Sequence, residues 1–238
     1  MTLTERRVLF IGDSFATPGA AACLQEELGS YGRSIGRAYA VTLAGYPGQG
    51  LTHFLPDVRH KVRELKPDIV IHVYPDTDAN RHYSLLKRLV FPTPRLATKG
   101  WARGFRLSKR IKQYSPILGD LVWRMLLATV LREVDIRDGL KRDLRLFREF
   151  TEFLKEAECA YVVCLWDVEL YGLTNRFREA LKRLDGYDHA TYLADLNEYL
   201  ALFHPSQYQI PNDGHPNDLG NRLMARYIVE KASAAGVI

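Results

Sequence analysis

Cysteine is scarce in this chain: Cys23, Cys159 and Cys164 are the only three among 238 residues. The number is odd and no pair stands at metal-ligand spacing, so neither a disulfide framework nor a cysteine-built metal site is expected. Free thiols in a reducing compartment follow instead, with Cys159 and Cys164 on or beside a predicted buried strand. Long apolar runs are also missing. No stretch reaches the roughly 18 uninterrupted apolar residues of a transmembrane helix. The opening Met-Thr-Leu-Thr-Glu-Arg-Arg runs straight into an apolar strand, and no signal peptide is legible, so a cytoplasmic location is expected. There is no G-x-G-x-x-G and no G-x-x-x-x-G-K-[ST], so nucleotide binding through either phosphate loop is not predicted. No cofactor and no metal are expected. Internal repeats and low-complexity tracts are absent as well.

One further absence is local. Between Arg81 and Lys112 there are ten Lys/Arg and not a single Asp or Glu. The rest of the chain carries 23 basic against 28 acidic residues, so the net charge of +5 belongs to one segment.

What is present suits a globular domain. With 47% hydrophobic residues, the chain can bury a sizeable core. Five short runs rich in β-branched and aromatic residues read as strands: Val8–Ile11, Tyr39–Leu43, Ile69–Val73, Ala160–Leu165 and Thr191–Ala194. Several are apolar throughout, the pattern of parallel strands covered on both faces. Helical spacing separates them, over Ala20–Ser30, His53–Leu65, Leu140–Glu158, Asn175–Leu184 and Leu219–Ala235. Alternation of strand and helix predicts an α/β fold with a parallel sheet. The alternation fails between about 83 and 137, which reads as a basic helical insertion after the third strand, in a single domain spanning 1–238. Its second half offers Ile117, Leu118, Leu121, Val122, Met125, Leu126 and Val130 as an apolar face, either packed on the core or on a second subunit, or turned to an acyl chain.

Three motifs fall at the predicted carboxyl ends of strands, where open parallel sheets bind ligands. Gly12-Asp13-Ser14 follows the first strand. Gly12 permits a tight turn, and the Ser14 N–H lies near the start of a helix beginning at about Pro18, a favourable place for a developing oxyanion. The alternative is that Ser14 caps that helix. Asp13 reads as a loop-stabilising carboxylate. Gly45, Gly48 and Gly50 follow the second strand and let the backbone approach a ligand, with the Gly48 N–H as a donor. Near the far end, Asp213-Gly214-His215-Pro216 precedes a helix. An imidazole takes a serine proton when a carboxylate fixes its tautomer, and Asp213 is near enough to do so. The alternative there is a surface turn. His72, inside the third strand, reads as a core residue; His204 precedes Pro205 in a loop. Trp166 reads as a loop residue, packing on the insertion or touching substrate.

Taken together, the motifs resemble those of the GDSL/SGNH hydrolases over most of the chain outside residues 83–137. "VLFIGDSFATPG" resembles the first block of that family, "LAGYPGQG" the second, "KPDIVIHVYPDTDAN" the third, and "DGHPNDLGNRLMA" is very similar to the fifth. The resemblance implies a three-layer α/β/α, flavodoxin-like fold. It implies a Ser14–His215–Asp213 triad working through an acyl-enzyme without a metal, and an oxyanion hole from Ser14 and Gly48. Two departures matter. The family's oxyanion Asn aligns with Thr77, and Asn80 lies three residues on, so either Thr77 or Asn80 supplies the third donor. The spacing Asp-x-His is one residue shorter than the common Asp-x-x-His. The expected function is therefore a serine hydrolase of carboxylic esters, among them sugar or small-metabolite acetates, or of thioesters. An acyltransferase using the same triad is one alternative. A catalytically silent binding module whose basic cap recruits an anionic partner is the other. The expected partner is a small-molecule or acyl-carrier ester substrate, with anionic ones favoured by the basic segment. A solvated basic face with no partner is the first reading of that segment, and steering of an anionic substrate comes next; an anionic membrane surface and nucleic acid are further readings, but no nucleic-acid motif appears and nucleic acid is not expected.

Overall fold

A computed structural model of the chain describes residues 4–75, 110–111, 113–119, 121–122, 136–166, 190–193, 196–211 and 214–238, with backbone only for 136–141. Five strands form one sheet: β1 (Glu5–Gly12), β2 (Ala38–Gly45), β3 (Ile69–Pro75), β4 (Ala160–Trp166) and β5 (Ala190–Leu193). All pairings are parallel and the order is β2-β1-β3-β4-β5. This is the flavodoxin-like order, with its switch point between β1 and β3.

The apolar runs are explained by the pleat. Side chains alternate between faces, and here both faces are covered. Val8, Phe10, Ile69, Ile71, Val73, Val162 and Cys164 join one core cluster with α1 (Pro18–Ile35) and α6 (Asp218–Ala234). On the opposite face His72, Tyr74 and Tyr161 meet Phe54 of α2 (Leu51–Leu65) and Phe147 and Phe150 of α3 (Ile136–Glu156). The chain thus folds as three layers, α/β/α. Each large apolar side chain fully buried in these layers stabilises by about 1.5–3 kcal/mol.

Strand ends extend beyond the predicted apolar cores. β1 starts at Glu5 because its backbone pairs with β2 from Ala38 onward, whatever the side chains. Helix α1 begins with Pro18 behind the Thr17 cap, whose side chain accepts from the Ala20 N–H at 3.1 Å. Two short helices, α4 (Leu196–Leu200) and α5 (Pro205–Tyr208), precede α6. The predicted helix Asn175–Leu184 lies outside the described residues.

The chain divides into two compact units, Met1–Asp78 with Asp143–Ile238, and Ala79–Arg142. Within the second unit the described positions between 110 and 122 are largely helical, with Ser115 N–H on Ile111 O and Gly119 N–H on Ser115 O. Ile117, Leu118 and Leu121 are exposed there. Among the described residues, no helix is long and apolar enough to cross a membrane. Cys159 and Cys164 are buried and Cys23 is half-buried, and none of the three is in a disulfide. Burial pushes the Cys159 thiol up to about 12 and the Cys164 thiol higher still, which makes both inert at neutral pH.

Candidate active site

Ser14 stands just past β1 at the switch point. The strand ends at Gly12 because the turn passes hard against β3: a Cβ on Gly12 would lie 2.7 Å from the Val73 carbonyl. The turn closes with Ala16 N–H on the Asp13 carbonyl at 3.2 Å. Thr17, not Ser14, caps α1, so the Ser14 hydroxyl is left for other work. Asp13 is fully buried. Its Oδ1 accepts from the Phe15 N–H at 2.9 Å and its Oδ2 accepts from Ser14 Oγ at 2.9 Å. The loop-stabilising role expected of Asp13 is what the geometry gives, with a direct hold on the serine added.

His215 arrives from the opposite end of the chain. Its Nε2 lies 2.7 Å from Ser14 Oγ across 201 residues of sequence. The loop that carries it is fastened on both sides. Ile210 N–H donates to the His215 carbonyl at 2.8 Å, and Gln209 and Pro216 form an antiparallel bridge. Asn217 then does two things. Its Oδ1 accepts from Gly220 N–H at 3.0 Å, capping α6, and its Nδ2 donates to Gln207 O at 2.8 Å, tying α6 to α5. The imidazole lies on the ring of Phe15, with centroids 4.9 Å apart and planes 29° apart. Phe15 in turn leans on Trp166 at 5.5 Å. Trp166 is therefore a fully buried end of β4 supporting the Phe15–His215 stack, not a loop residue.

The Gly48 loop is stitched to the serine turn. Tyr46 N–H donates to the Gly12 carbonyl at 2.9 Å. A Cβ on Gly45 would stand 2.5 Å from the Ala16 carbonyl, so the two loops cross at van der Waals limits. Gly48 has φ +71°, while a Cβ there would meet nothing within 4 Å. It is glycine for its backbone angle, and the space before it is open. Tyr46 anchors the loop, its ring stacked on Phe54 at 5.0 Å and 5°, its hydroxyl donating to Asp57 Oδ2. That hydrogen bond, with Lys61 behind it at 3.0 Å, holds the Asp57 carboxyl below the usual carboxylate range. Burial and the same bond push the Tyr46 phenol up.

The structure thus brings together Ser14, His215 and the Gly48 loop. Asp213, Thr77 and Asn80 lie outside the described residues. His204 caps α5, with Nδ1 2.8 Å from Ser206 Oγ, and is exposed. Phe15, Tyr46 and Trp166 hold the site without a motif of their own. For Phe15 the only signal in the sequence is adjacency to Ser14. Among the described residues, no group of three or more His, Cys, Asp or Glu is gathered that could hold a metal ion.

No family profile and no curated protein sequence matches the chain. Solved structures do match it over its whole length. Axe2, an acetylxylan esterase from Geobacillus stearothermophilus, aligns at 15% identity and TM-score 0.61, covering 97% of this chain and 96% of its own. A protein described as a GDSL-like lipase from Parabacteroides merdae aligns at 14% identity and TM-score 0.61, covering 100% and 99%. LAE5, an α/β hydrolase enzyme from the metagenome of Lake Arreo, Spain, aligns at 14% and TM-score 0.62, covering 99% and 97%. The chain has the fold that its motifs resemble, that of the GDSL/SGNH hydrolases.

Proposed function

We propose that the protein is a serine hydrolase of carboxylic esters. The observation that carries this reading is the 2.7 Å approach of His215 Nε2 to Ser14 Oγ at the switch point of the sheet. A mere surface turn at His215 has no reason to reach a serine just past the end of β1. Nor does a helix cap need an imidazole.

In the proposed reaction the Ser14 hydroxyl, which donates to Asp13 Oδ2 at 2.9 Å in the resting site, turns its proton to His215 Nε2 at 2.7 Å, and the imidazole takes it as Oγ attacks the ester carbonyl. The oxygen of that carbonyl becomes an oxyanion, received by the N–H groups of Ser14 and Gly48 and by Thr77 or Asn80. His215 passes the proton to the leaving alcohol as the C–O bond breaks and the acyl-enzyme forms. Water, deprotonated by the same imidazole, then releases the acid and restores Ser14. Asp213, two residues before His215, is assigned the carboxylate that orients the ring. Short acyl esters of a carbohydrate are the substrate class we favour, because Axe2, with the same fold over the whole chain, is an acetylxylan esterase. The contact between His215 and Ser14 speaks against a silent binding module.

The test is covalent labelling by a fluorophosphonate, read by intact mass, beside hydrolysis of an acetyl ester. A single adduct on Ser14 is expected. Ser14→Ala and His215→Ala should each lower hydrolysis by about 10⁶-fold. Labelling elsewhere, or hydrolysis that survives in Ser14→Ala, would overturn the assignment.

A further inference from the structure

Ser14 Oγ stands between two acceptors. Asp13 Oδ2 lies 2.9 Å from it and His215 Nε2 2.7 Å. A hydroxyl has one proton to give. That proton goes either to the carboxylate or to the imidazole, and only the second arrangement readies the oxygen for attack. Distance favours the imidazole. Charge favours the carboxylate, because hydrogen bonds to an ionised acceptor are roughly twice as strong as neutral ones. Burial acts in the same direction as charge. Asp13 is 0% exposed, so its carboxylate depends on donors from the protein, and the Ser14 hydroxyl is one of them.

The serine turn does not require this bond for its shape. Asp13 Oδ1 accepts from Phe15 N–H at 2.9 Å, and the Asp13 carbonyl accepts from Ala16 N–H at 3.2 Å, which closes the turn. Helix α1 has its own cap in Thr17, which accepts from Ala20 N–H at 3.1 Å. The bond from Ser14 to Oδ2 is therefore additional to what shapes the loop. It falls on the one hydroxyl that the proposed reaction uses. Phe15 also supports the imidazole, with ring centroids 4.9 Å apart, so Nε2 stays in reach whichever way the hydroxyl points. Rotation of the O–H bond about Cβ–Oγ then switches the proton between the two acceptors with no heavy atom displaced.

We propose that Asp13 is a restraint on the nucleophile: it competes with His215 for the Ser14 proton and keeps the hydroxyl turned away from its base for most of the time in the free protein. The proposal rests on the hydrolase reading and gives that site a resting state. Asp13 acts through Ser14 and meets no reacting atom of the ester, so it is a positioning residue. The proton stays on Oγ in both arrangements, and its bond breaks only when His215 takes it.

Asp13→Asn is the test. The Phe15 N–H needs an acceptor, so the amide oxygen takes the place of Oδ1 and the amide NH₂ that of Oδ2. The group beside Oγ is then a donor, and His215 has lost its competitor for the proton. Fluorophosphonate labelling of Ser14, followed by intact mass over time, should run at least about threefold faster than in wild type. That is the gain when an arrangement populated about one third of the time becomes the only one. A purely structural role for Asp13 lowers the thermal midpoint without accelerating labelling. Labelling at the wild-type rate or slower overturns the proposal. The slower rate assigns the Asp13 charge to support of the imidazolium that forms in the reaction. Should the variant fail to fold, the wild type decides by itself. Neutron diffraction from deuterated crystals should place the Ser14 hydroxyl deuterium on the line to Asp13 Oδ2, and a deuterium directed at His215 Nε2 overturns the proposal. No labelling of Ser14 in wild type or variant overturns the hydrolase reading and this proposal with it. A labelled wild type with a variant no faster overturns this proposal alone.

Discussion

His72 shows what a single residue contributes here beyond the site. It is fully buried, ringed by Phe54, Tyr74, Phe147 and Tyr161, with Nδ1 2.8 Å from Tyr161 Oη and Nε2 without a partner. The sequence marks it as a core residue, and it is one, though only half satisfied. Burial lowers its pKa from 6.5 to about 3, so the folded state keeps it neutral. The unfolded chain takes up a proton once the pH falls below about 6.5, and the folded state does not. The associated stability is thus complete above pH 6.5 and is lost as the pH falls from 6.5 toward about 3. The urea midpoint should decline across that window. His72→Phe should flatten the decline while costing about 1–3 kcal/mol at neutral pH, because the Tyr161 hydroxyl loses its partner. An unchanged slope in the variant would assign the acid sensitivity to other groups. Gly45 is a second residue with a sharp expectation. An added Cβ would meet the Ala16 carbonyl backbone at 2.5 Å, so the serine turn or the Gly48 loop must move. Gly45→Ala should destabilise by about 1–3 kcal/mol and slow fluorophosphonate labelling of Ser14. Labelling at the wild-type rate would show that the two loops are not coupled. Neither effect is legible in sequence, where Gly45 is one glycine of three in a loop.

At the scale of elements, the segment from α5 to α6 is what aims His215. The turn-forming residues around it are plain in the sequence, and so is the helix that follows. The fastening is not, because α5 is only four residues long, Pro205–Tyr208, and too short for periodicity to reveal. Asn217 joins both helices through its one amide. Asn217→Ala removes the α6 cap and the tie to Gln207, and should cost about 1–2 kcal/mol. It should also lower kcat for ester hydrolysis more than it changes KM, since the imidazole loses its seat while the ester site keeps its walls. A change confined to thermal stability would limit Asn217 to a cap. The strands tell the same story in reverse. Their apolar centres were readable because both faces of the sheet are covered, while their ends follow backbone pairing, as at Glu5 of β1 opposite Ala38 of β2.

For the molecule as a whole, Ser14 and His215 depend on the packing of the two ends of the chain. α1 follows the serine turn, α6 follows the histidine loop, and the two helices lie together against the sheet through Leu24, Leu28, Met224 and Ile228 in one core. Leu24→Ala opens a cavity in that core and should cost about 2–5 kcal/mol. If the packing also sets the distance between Ser14 and His215, Ser14 labelling should fall along with the unfolding midpoint. Loss of stability with labelling intact would show that the Phe15–His215 stack holds the pair by itself.

The sequence alone determined the α/β class, the parallel sheet, the choice of Ser14 and His215 as candidate site residues, and the basic segment. Each of these is written in local terms: apolar runs, turn residues, short motifs and charge. Only the tertiary structure decided that Thr17 rather than Ser14 caps α1, and that Asp13 holds the serine hydroxyl. It alone put Phe15 and Trp166 behind the imidazole and left Tyr114, Ile117 and Leu118 facing solvent. Those outcomes depend on which surfaces meet across 200 residues of chain, and no local pattern encodes a meeting between distant segments.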